Sequence, residues 1–353
     1  MSSACAKCKS FVCRVGRVDA VPDNCPMKGD FPDFADLYST PDALRLAYQS
    51  AILEAVGYCR WTRVREIAEF ATRMEYQRLG IAYCPDMARE ALLAATYFRD
   101  QALEVRLPPQ KLDCDPLGQA QMLADAETRL NIIAGMCVPH EAIFIRTSQA
   151  PVTALVARDE RFSHNPAASL YTAESYAHSE LYDRSTRRKT ADFRGSDIET
   201  LVEVAGESLP DSHDMWCRVR ETMEFARRLG AEHIGISFCV GLRREAHTLT
   251  KVLEANGFQV SSACCKTGSV PKEKIGIEEQ QKVRPDQAEM ICNPIAQAEL
   301  LNRAKIELAL ILGQCVGHDS ATMAHLEAPA VCVVAKDRVL AHNTVAALYQ
   351  LER

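Results

Sequence analysis

In the second half of the sequence, apolar runs that are typical of β-strands end at cysteines. A further cysteine precedes Asn293-Pro294, a helix-start signal, because Asn is a favoured N-cap and Pro suits the first helical position. Strands that alternate with helices predict parallel βαβ units, whose ligands bind beyond the carboxyl ends of the strands. We therefore expect these thiols to meet at one rim of a sheet. The cysteines are Cys239, Cys264, Cys265, Cys292 and Cys315.

Thiols grouped in this way can hold a metal ion or an iron–sulfur cluster. The thiolate is the binding form, and a helix N-terminus lowers the pKa of a neighbouring thiol because its free N–H groups favour negative charge. Helix-start signals follow Cys239, Cys292 and Cys315. Redox-active thiols without metal and buried structural cysteines are the alternatives. Because the sequence shows no sign of export, we expect a metal or cluster rather than disulfides.

The composition is that of a globular protein with a sizeable core. The chain has 353 residues, of which 47% are hydrophobic and 15 are cysteines, and its formal net charge is −6. The length suffices for about two domains. We expect no signal peptide, because the first residues lack an apolar segment, and no membrane span, which requires roughly 18 apolar residues. We expect a cytoplasmic protein without nucleic-acid or membrane partners, since nonspecific nucleic-acid binding needs a basic surface.

The N-terminal segment 1–32 has a cysteine spacing that predicts a metal site. Its apolar content is too low for burial to order it, whereas structural zinc held by four thiolates supplies folding free energy outright. An iron–sulfur cluster would also serve, and the terminal Cys-Pro is typical of ferredoxin-type runs. Zinc and iron–sulfur both remain open here, and unliganded thiols in a flexible arm are the alternative. The cysteines are Cys5, Cys8, Cys13 and Cys25.

The rest of the chain is an internal duplication. Residues 63–84 and 218–239 are identical at eleven of 22 positions without a gap. Three later blocks recur in the same order, and they are CDP 114–116 with CNP 292–294, GMCVPH 135–140 with GQCVGH 313–318, and RD 158–159 with KD 336–337. The second copy also carries an insertion that includes Cys264, Cys265 and residues 274–284. Two copies of one unit are expected to pack as a pseudo-twofold pair.

The first copy has thiols in only three of the equivalent places, Cys84, Cys114 and Cys137. Three thiolates could hold a cluster and leave one iron open to substrate, or the first copy could be purely structural. In the second copy, Lys266 and Arg284 are candidates for neutralising an anionic substrate or a cluster. His318, three residues after Cys315, is a candidate ligand, proton donor or helix cap.

Several phrases of the second copy, together with Cys264-Cys265-Lys266 and Cys5-x2-Cys8, resemble a cysteine-rich family of anaerobic bacteria. The phrases are CNPIAQAELLN 292–302, CVGHD 315–319, EAPAV 327–331 and KDRVLAHN 336–343. That family is known as a domain of unknown function and is described as metal-binding. The resemblance covers residues 1–171 and again 215–353, so it implies metal binding by a tandem duplication of the family's domain.

These features predict an α/β fold of two tandem Rossmann-like βαβ domains with parallel sheets, preceded by a cysteine-rich metal-binding arm. The predicted parts are the arm 1–32, a first domain 33–171, a linker 172–214 and a second domain 215–353. The linker contains a basic run, Arg184, Arg187, Arg188 and Lys189, which we interpret as a solvated face.

Two hypotheses of function follow. In the first, the chain is an iron–sulfur protein, with 4Fe-4S clusters at the strand ends, for electron transfer or for reductive or sulfur chemistry on a small molecule. Its partners would be a redox protein or that small molecule, and the sequence leaves open whether it is an enzyme. In the second, the arm is a structural zinc site and the rim thiols sense or deliver a soft metal without catalysis. A metal inventory separates the two.

Overall fold

The computed structural model describes residues 4–28, 31–109, 114–182, 192–212 and 216–351, with the backbone alone for 209–212. The arm consists of short 3₁₀ turns, Cys5–Lys7, Val12–Val15, Val18–Ala20 and Pro26–Lys28. The first half of the chain follows as α1 (Phe34–Leu37), α2 (Pro41–Gly57), α3 (Arg63–Met74), β1 (Arg78–Ala82), α4 (Ala88–Asp100), β2 (Glu104–Arg106), α5 (Pro116–Asp125), β3 (Leu130–Ala134), α6 (Val138–Thr147), β4 (Val152–Val156), α7 (Ala167–Tyr171) and α8 (His178–Tyr182).

The second half repeats this order. Its elements are α9 (Ile198–Ser212), α10 (Arg218–Leu229), β5 (His233–Phe238), α11 (Arg243–Ala255), β6 (Gln259–Cys264), α12 (Pro294–Arg303), β7 (Leu308–Leu312), α13 (His318–His325), β8 (Ala330–Val334) and α14 (Thr344–Tyr349). The helix-start signal read from the sequence is present, because the side chain of Asn293 accepts a hydrogen bond from Ala296 N at the start of α12. Its counterpart Asp115 caps α5 by accepting from Gly118 N.

Each half contains a four-stranded sheet in which the strands are parallel. The orders are β2-β1-β3-β4 and β6-β5-β7-β8, and every pairing between neighbours is parallel. The predicted α/β fold with two parallel sheets is therefore confirmed. The strand order reverses direction between β1 and β3 and between β5 and β7, and in open parallel sheets this switch point is where a ligand crevice forms.

The two halves share one core. A single apolar cluster contains Ile133 of β3 and Ile311 of β7, so the sheets bury residues in common. Short C-terminal helices are exchanged, because α7 of the first half packs on α11 and α14 of the second half packs on α4 and α3. The predicted linker 172–214 includes α8 and α9, and α9 packs against α6 and α10. The basic run at 184–189 lies outside the described residues.

Two equivalent arginines connect the halves. Arg63, at the start of α3, donates its backbone N–H to Asp337 and its guanidinium to the Gln314 carbonyl at 2.9 Å and to Asp319 at 2.5 Å, all in the second half. Its duplicate Arg218, at the start of α10, makes the reciprocal bonds in the first half, and the partners are Asp159, the Met136 carbonyl and Glu141.

These arginines are out of contact with solvent. Arg63 is 1% exposed and Arg218 is 0% exposed. Water does not reach either guanidinium. Hydrogen bonds to the other half must therefore replace the lost hydration, because an unpaired buried charge would destabilise the fold.

A glycine marks the closest approach of the two halves. Gly317, before α13, has a φ of +84°, and a Cβ there would lie 2.2 Å from Ser50 Oγ of α2 and 2.6 Å from the Phe70 ring of α3. The first copy has Pro139 at the equivalent place. The difference between the copies at this position therefore follows from packing, because only the second copy's helix receives α2 and α3 at this distance.

We predict that Arg218→Met lowers the free energy of unfolding by about 3–5 kcal/mol, because the buried Glu141 loses its ionic partner and keeps only the hydrogen bond from Cys332 N. Denaturant unfolding of the full chain measures this. Arg65→Met on the surface of α3 is the control, since the Arg65–Glu69 pair spans 3.9 Å in water and should cost less than about 1 kcal/mol. Equal losses in the two variants would contradict the buried connection.

Candidate metal centres

Four thiols of the second half converge at the switch point of its sheet. We call Cys239, Cys265, Cys292 and Cys315 the rim group. Cys239 follows β5 and Cys315 follows β7, the two strands between which the order reverses. All four are between 2% and 5% exposed. Cys239 lies within side-chain hydrogen-bonding reach of Cys265 and Cys315, and Cys265 reaches Cys292. The structure thus brings together thiols that are far apart in the sequence.

Buried cations face these sulfurs. Lys336 Nζ lies 2.7 Å from Cys239 Sγ and 3.5 Å from Cys315 Sγ. Arg338 Nη2 donates to Cys315 Sγ at 2.9 Å. Lys336 is 3% exposed, and its recorded hydrogen-bond acceptors among the described residues are the two sulfurs. A buried ammonium requires negative charge beside it, so this contact favours thiolates.

His318 and Lys266 adjoin the same thiols. Burial acts to lower the pKa of His318, but Cys292 and Cys315 outweigh it and raise that pKa to about 10. The pKa of Lys266 is likewise raised, by Cys292 and Glu54 against the opposing effect of burial. The pKa of Cys292 is held well below its usual value by the hydrogen bond from Cys265 first, and then by Lys266. Both candidate residues therefore lie where they can balance thiolate charge.

The first half of the chain completes this site. Arg338 forms ion pairs of 3.1 Å with Glu54 of α2 and 3.0 Å with Glu66 of α3. Burial raises the pKa of Glu66 to about 7, against the lowering effect of Arg338. Burial also acts to raise the pKa of Glu54, but Lys266 and Arg338 outweigh it and hold that pKa well below its usual value. The rim group is therefore enclosed by helices that belong to the other copy.

Cys264 does not point toward the rim group alone. Its sulfur lies within side-chain hydrogen-bonding reach of Cys13 in the arm as well as of Cys265. The expected set of five rim thiols is thus divided, because successive residues of an extended strand direct their side chains to opposite faces. We call Cys264 and the four arm thiols the arm group. They line a cavity of about 30 Å³, and its cysteines are Cys5, Cys8, Cys13, Cys25 and Cys264.

The arm is docked on the second half of the chain. Ala6 N donates to Ser262 Oγ of β6 at 2.9 Å, and Ala4 forms a parallel bridge with Ser262. Ser269 Oγ donates to the Cys13 carbonyl at 2.8 Å. Lys7 pairs with Glu254 of α11. Burial raises the pKa of Cys5 to about 11, and nearby Cys25 adds to this effect.

The first half has a smaller thiol group at the equivalent switch point. Cys84 Sγ lies 3.7 Å from Cys114 Sγ and within side-chain hydrogen-bonding reach of Cys137. These two hydrogen bonds, and to a lesser degree Arg158, hold the pKa of Cys84 well below its usual value although burial opposes them. Arg158 occupies the place of Lys336, but it is also paired with Asp86 at 3.0 Å and Glu160 at 2.6 Å.

Other sequence candidates lie apart from the sulfurs. Arg284 is exposed and lines a cavity of about 710 Å³ that also includes Cys239. Cys332 is within β8, and Cys217 precedes α10, each buried in the core. Cys59 is exposed. Among the described residues, no group of three or more His, Cys, Asp or Glu side chains has the geometry to hold a metal ion as it stands.

Sequence reasoning identified Lys266 but missed the other cations that face the thiols, namely Lys336, Arg338 and Arg158. Lys336 and Arg158 begin blocks that were recognised as repeated, and a cation kept at the same place beside a strand end was the available signal. Glu54 could not be found in this way, because it comes from α2 of the other copy. Separately, in the part of the chain that the structure describes, no helix combines the length and apolar character that crossing a membrane would require.

The sequence matches a family described as "Protein of unknown function (DUF1847)" over residues 26–107, 106–155 and 175–333. It is 40% identical over 164 residues to "Uncharacterized protein MJ0455" of Methanocaldococcus jannaschii. That match covers 46% of this chain and 83% of the relative. Less than half of this chain thus accounts for most of the relative.

Three solved structures from Pyrococcus horikoshii are distantly similar. The first is Dph2 with a 4Fe-4S cluster, with 11% identity, coverage of 83% of this chain and 92% of that chain, and a TM-score of 0.22. The second is another Dph2 structure, with 12% identity, coverage of 83% and 91%, and a TM-score of 0.23. The third is the aspartate racemase homologue PH1733, with 12% identity, coverage of 78% and 98%, and a TM-score of 0.20. At these identities and TM-scores, the position of a binding site in one protein does not identify a site in the other. The chemistry of the thiol groups is therefore argued from the geometry of this chain.

The docked position of the arm can be tested without disturbing the thiols. Lys7 and Glu254 are half-exposed and in contact, so a zero-length carbodiimide should join them in the protein as purified. Peptide mapping should recover a Lys7–Glu254 link, and Glu254→Gln should abolish it. Linkage of Lys7 to other carboxylates at equal yield would contradict this placement of the arm.

Proposed function

The chain belongs to the DUF1847 family of proteins of unknown function, and we propose that it is an iron–sulfur protein whose rim group holds a cluster. The ligands would be Cys239, Cys265, Cys292 and Cys315. We further propose that the arm group holds zinc. The function would be electron transfer to a small molecule or a redox partner.

The observation that carries this proposal is the contact of Lys336 with Cys239 and Cys315. Removing an ammonium from water costs several kcal/mol unless it gains strong ionic hydrogen bonds. Lys336 takes these from sulfur, at 2.7 and 3.5 Å. Neutral thiols are weak acceptors and would not repay that cost. Anionic sulfur, either as free thiolates or as the ligands of an anionic cluster, would.

The donor set fits a cluster by its chemistry. Four thiolates are the usual ligands of a 4Fe-4S cluster, and they leave the ligated cluster with a net negative charge. Three cations, Lys266, Lys336 and Arg338, adjoin these sulfurs. Hydrogen bonds to the sulfurs and local charge are also what tune a cluster's potential. The same surroundings would be unnecessary around buried structural thiols.

The arm group favours zinc because of its size. The cavity among its cysteines is small, about 30 Å³. One ion fits a space of that size better than a cuboidal cluster does. Five cysteines are available and structural zinc takes four, so one of them would remain unliganded.

A bound cluster would supply one-electron chemistry, and the residues of this chain would control it. The rim thiolates would fix its position at the strand ends. Lys336 and Arg338 would stabilise the more negative, reduced state. Glu54 and Glu66, from the other copy, would hold Arg338 in place. The surrounding helices would exclude water from three sides and leave the side of Cys239 open to the cavity.

The first-half group, Cys84, Cys114 and Cys137, has one thiol fewer. Its cation Arg158 is already paired with two carboxylates. We propose that any cluster there is held by three thiolates, and that the second-half site is the principal one.

Anaerobically purified protein should be brown, with iron and acid-labile sulfide bound and about one zinc per chain. Cys239→Ser should remove most of the visible absorbance and keep the zinc. A double variant, Cys5→Ser with Cys8→Ser, leaves three arm-group thiols and should lose the zinc and keep the absorbance. Absorption spectra and elemental analysis measure both quantities.

Cys59→Ser is the matched control, because Cys59 is exposed and belongs to neither thiol group. It should change neither the absorbance nor the zinc. A colourless, iron-free protein that contains only zinc would overturn the cluster proposal and leave a zinc protein. Zinc that survives in the double variant Cys5→Ser with Cys8→Ser would overturn the assignment of the arm group.

Lys336→Met should lower the reduction potential of the cluster, because the reduced state loses a stabilising cation. A shift on the order of 60 mV corresponds to a tenfold change in the one-electron equilibrium constant. Potentiometric titration followed by electron paramagnetic resonance measures it. Lys251→Met, at an exposed lysine that pairs with Glu174, should leave the potential unchanged. An unchanged potential in Lys336→Met would contradict the role of this cation.

A further inference from the structure

A cavity of about 710 Å³ opens beside the rim group. Its walls come from five separate parts of the chain, namely the arm, α2 with the residues after it, the turn from β5 into α11, the insertion between β6 and α12, and the segment after β8. Cys239 and Lys336 lie on its surface. A volume of this size is typical of sites for small molecules. A small molecule is therefore large enough to fill the cavity.

The lining of this cavity is strongly cationic in a protein whose formal net charge is −6. Seven cationic side chains line it against three carboxylates. The cations are Arg14, Arg243, Lys266, Lys272, Arg284, Lys336 and Arg338, and the carboxylates are Glu54, Glu289 and Asp337. A cavity lined mostly by one sign of charge concentrates ligands of the opposite sign.

Four of these cations already have partners. Arg338 pairs with Glu54 and Glu66, Lys272 pairs with Glu289, Lys336 faces the sulfurs, and Lys266 donates to a backbone carbonyl. The other three are arginines, and they are the ones that a ligand would meet first. Within the described part of the chain, the guanidinium groups of Arg14, Arg243 and Arg284 form no ion pair, and Arg284 bonds Glu289 through its backbone N–H alone.

Arg243 is exposed, and its position at a helix start is unfavourable for an unpaired cation. It is the first residue of α11, where the helix dipole favours negative charge and disfavours a cation. An anion in the cavity would satisfy both the guanidinium and the helix end. Arg284 comes from the insertion that the first copy lacks. These two arginines belong to distant segments, yet they line the same cavity.

We propose that this cavity binds a small organic anion with two or more negative charges, carried by carboxylate or phosphate groups. Arginine is the residue that binds both groups in bidentate fashion. Tyr58, Val15, Val240 and Met290 supply apolar surface for the body of such a molecule. The role of this anion as a substrate of the cluster rests on the proposed function. Its binding in the cavity does not.

The second copy alone has the means to form this site. The insertion supplies Lys266, Lys272 and Arg284, and the arm supplies Arg14. In the first copy, the residue equivalent to Lys336 is Arg158, which is neutralised by Asp86 and Glu160. The duplication therefore separates a substrate-binding copy from one whose cation is already paired.

Isothermal titration calorimetry of the anaerobic full-length protein tests this, with citrate as the carboxylate probe and pyrophosphate as the phosphate probe. We expect at least one of them to bind, and binding of one alone identifies the group that the cavity recognises. Arg243→Gln and Arg284→Gln should each weaken binding about tenfold or more, the loss expected for one charge-assisted contact. Binding should also weaken as salt is raised.

Arg244→Gln is the matched control, because Arg244 is the next residue of the same helix, is exposed, and does not line the cavity. It should bind the probe as the unaltered protein does. Dissociation constants weaker than about 1 mM for both probes, or equal affinity in Arg243→Gln and Arg244→Gln, would overturn the site. A colourless protein that still binds the probe would overturn the cluster proposal and support the anion-binding cavity.

Discussion

The structure depends on two buried arginines that each copy of the repeat extends into the other. Arg63 and Arg218 are almost free of solvent contact, and each donates to a backbone carbonyl and a carboxylate of the opposite half. A buried guanidinium with a missing partner costs several kcal/mol, so the two halves cannot separate without exposing or orphaning both charges. Each sheet rim consequently forms against helices of the other copy. That is why Glu54 and Glu66 can pair with Arg338, more than 270 residues away in sequence, beside the rim group.

On this symmetric frame the two rims differ in charge and in ligands. Both copies place a cysteine after the first strand, one before the helix that follows the second strand, and one after the third strand. The second copy adds Cys265, and it has Lys336 and Arg338 where the first has Arg158 and Glu160. Replacing Glu160 by an arginine at this place reverses one charge, and the insertion adds further cations. The scaffold therefore stays the same while the residues around the sulfurs become more cationic.

The sequence predicted those features of the fold and the site that follow from the local pattern of apolar residues and cysteines. Apolar runs that end at Cys239 and Cys315 sufficed to predict parallel strands and a shared rim, because a parallel sheet brings all its carboxyl ends to one edge. The division of Cys264 from Cys265 was not predictable in the same way, since it depends on where the arm docks. The contacts of Arg338 were equally hidden, because Glu54 and Glu66 meet it only through the packing of the two halves.

The arm and the rim are connected by the edge of one sheet. β6 is the outer strand of the second sheet, and an uncovered edge is a site for unwanted pairing. The bridge from Ala4 to Ser262 covers part of it, and two residues later the strand supplies Cys264 to the arm group. Cys265 then belongs to the rim group. Because adjacent residues of a strand face opposite ways, one dipeptide serves two sites. An ion bound in the arm would thus fix the same backbone that positions Cys265, so order in the arm and geometry at the rim are physically coupled.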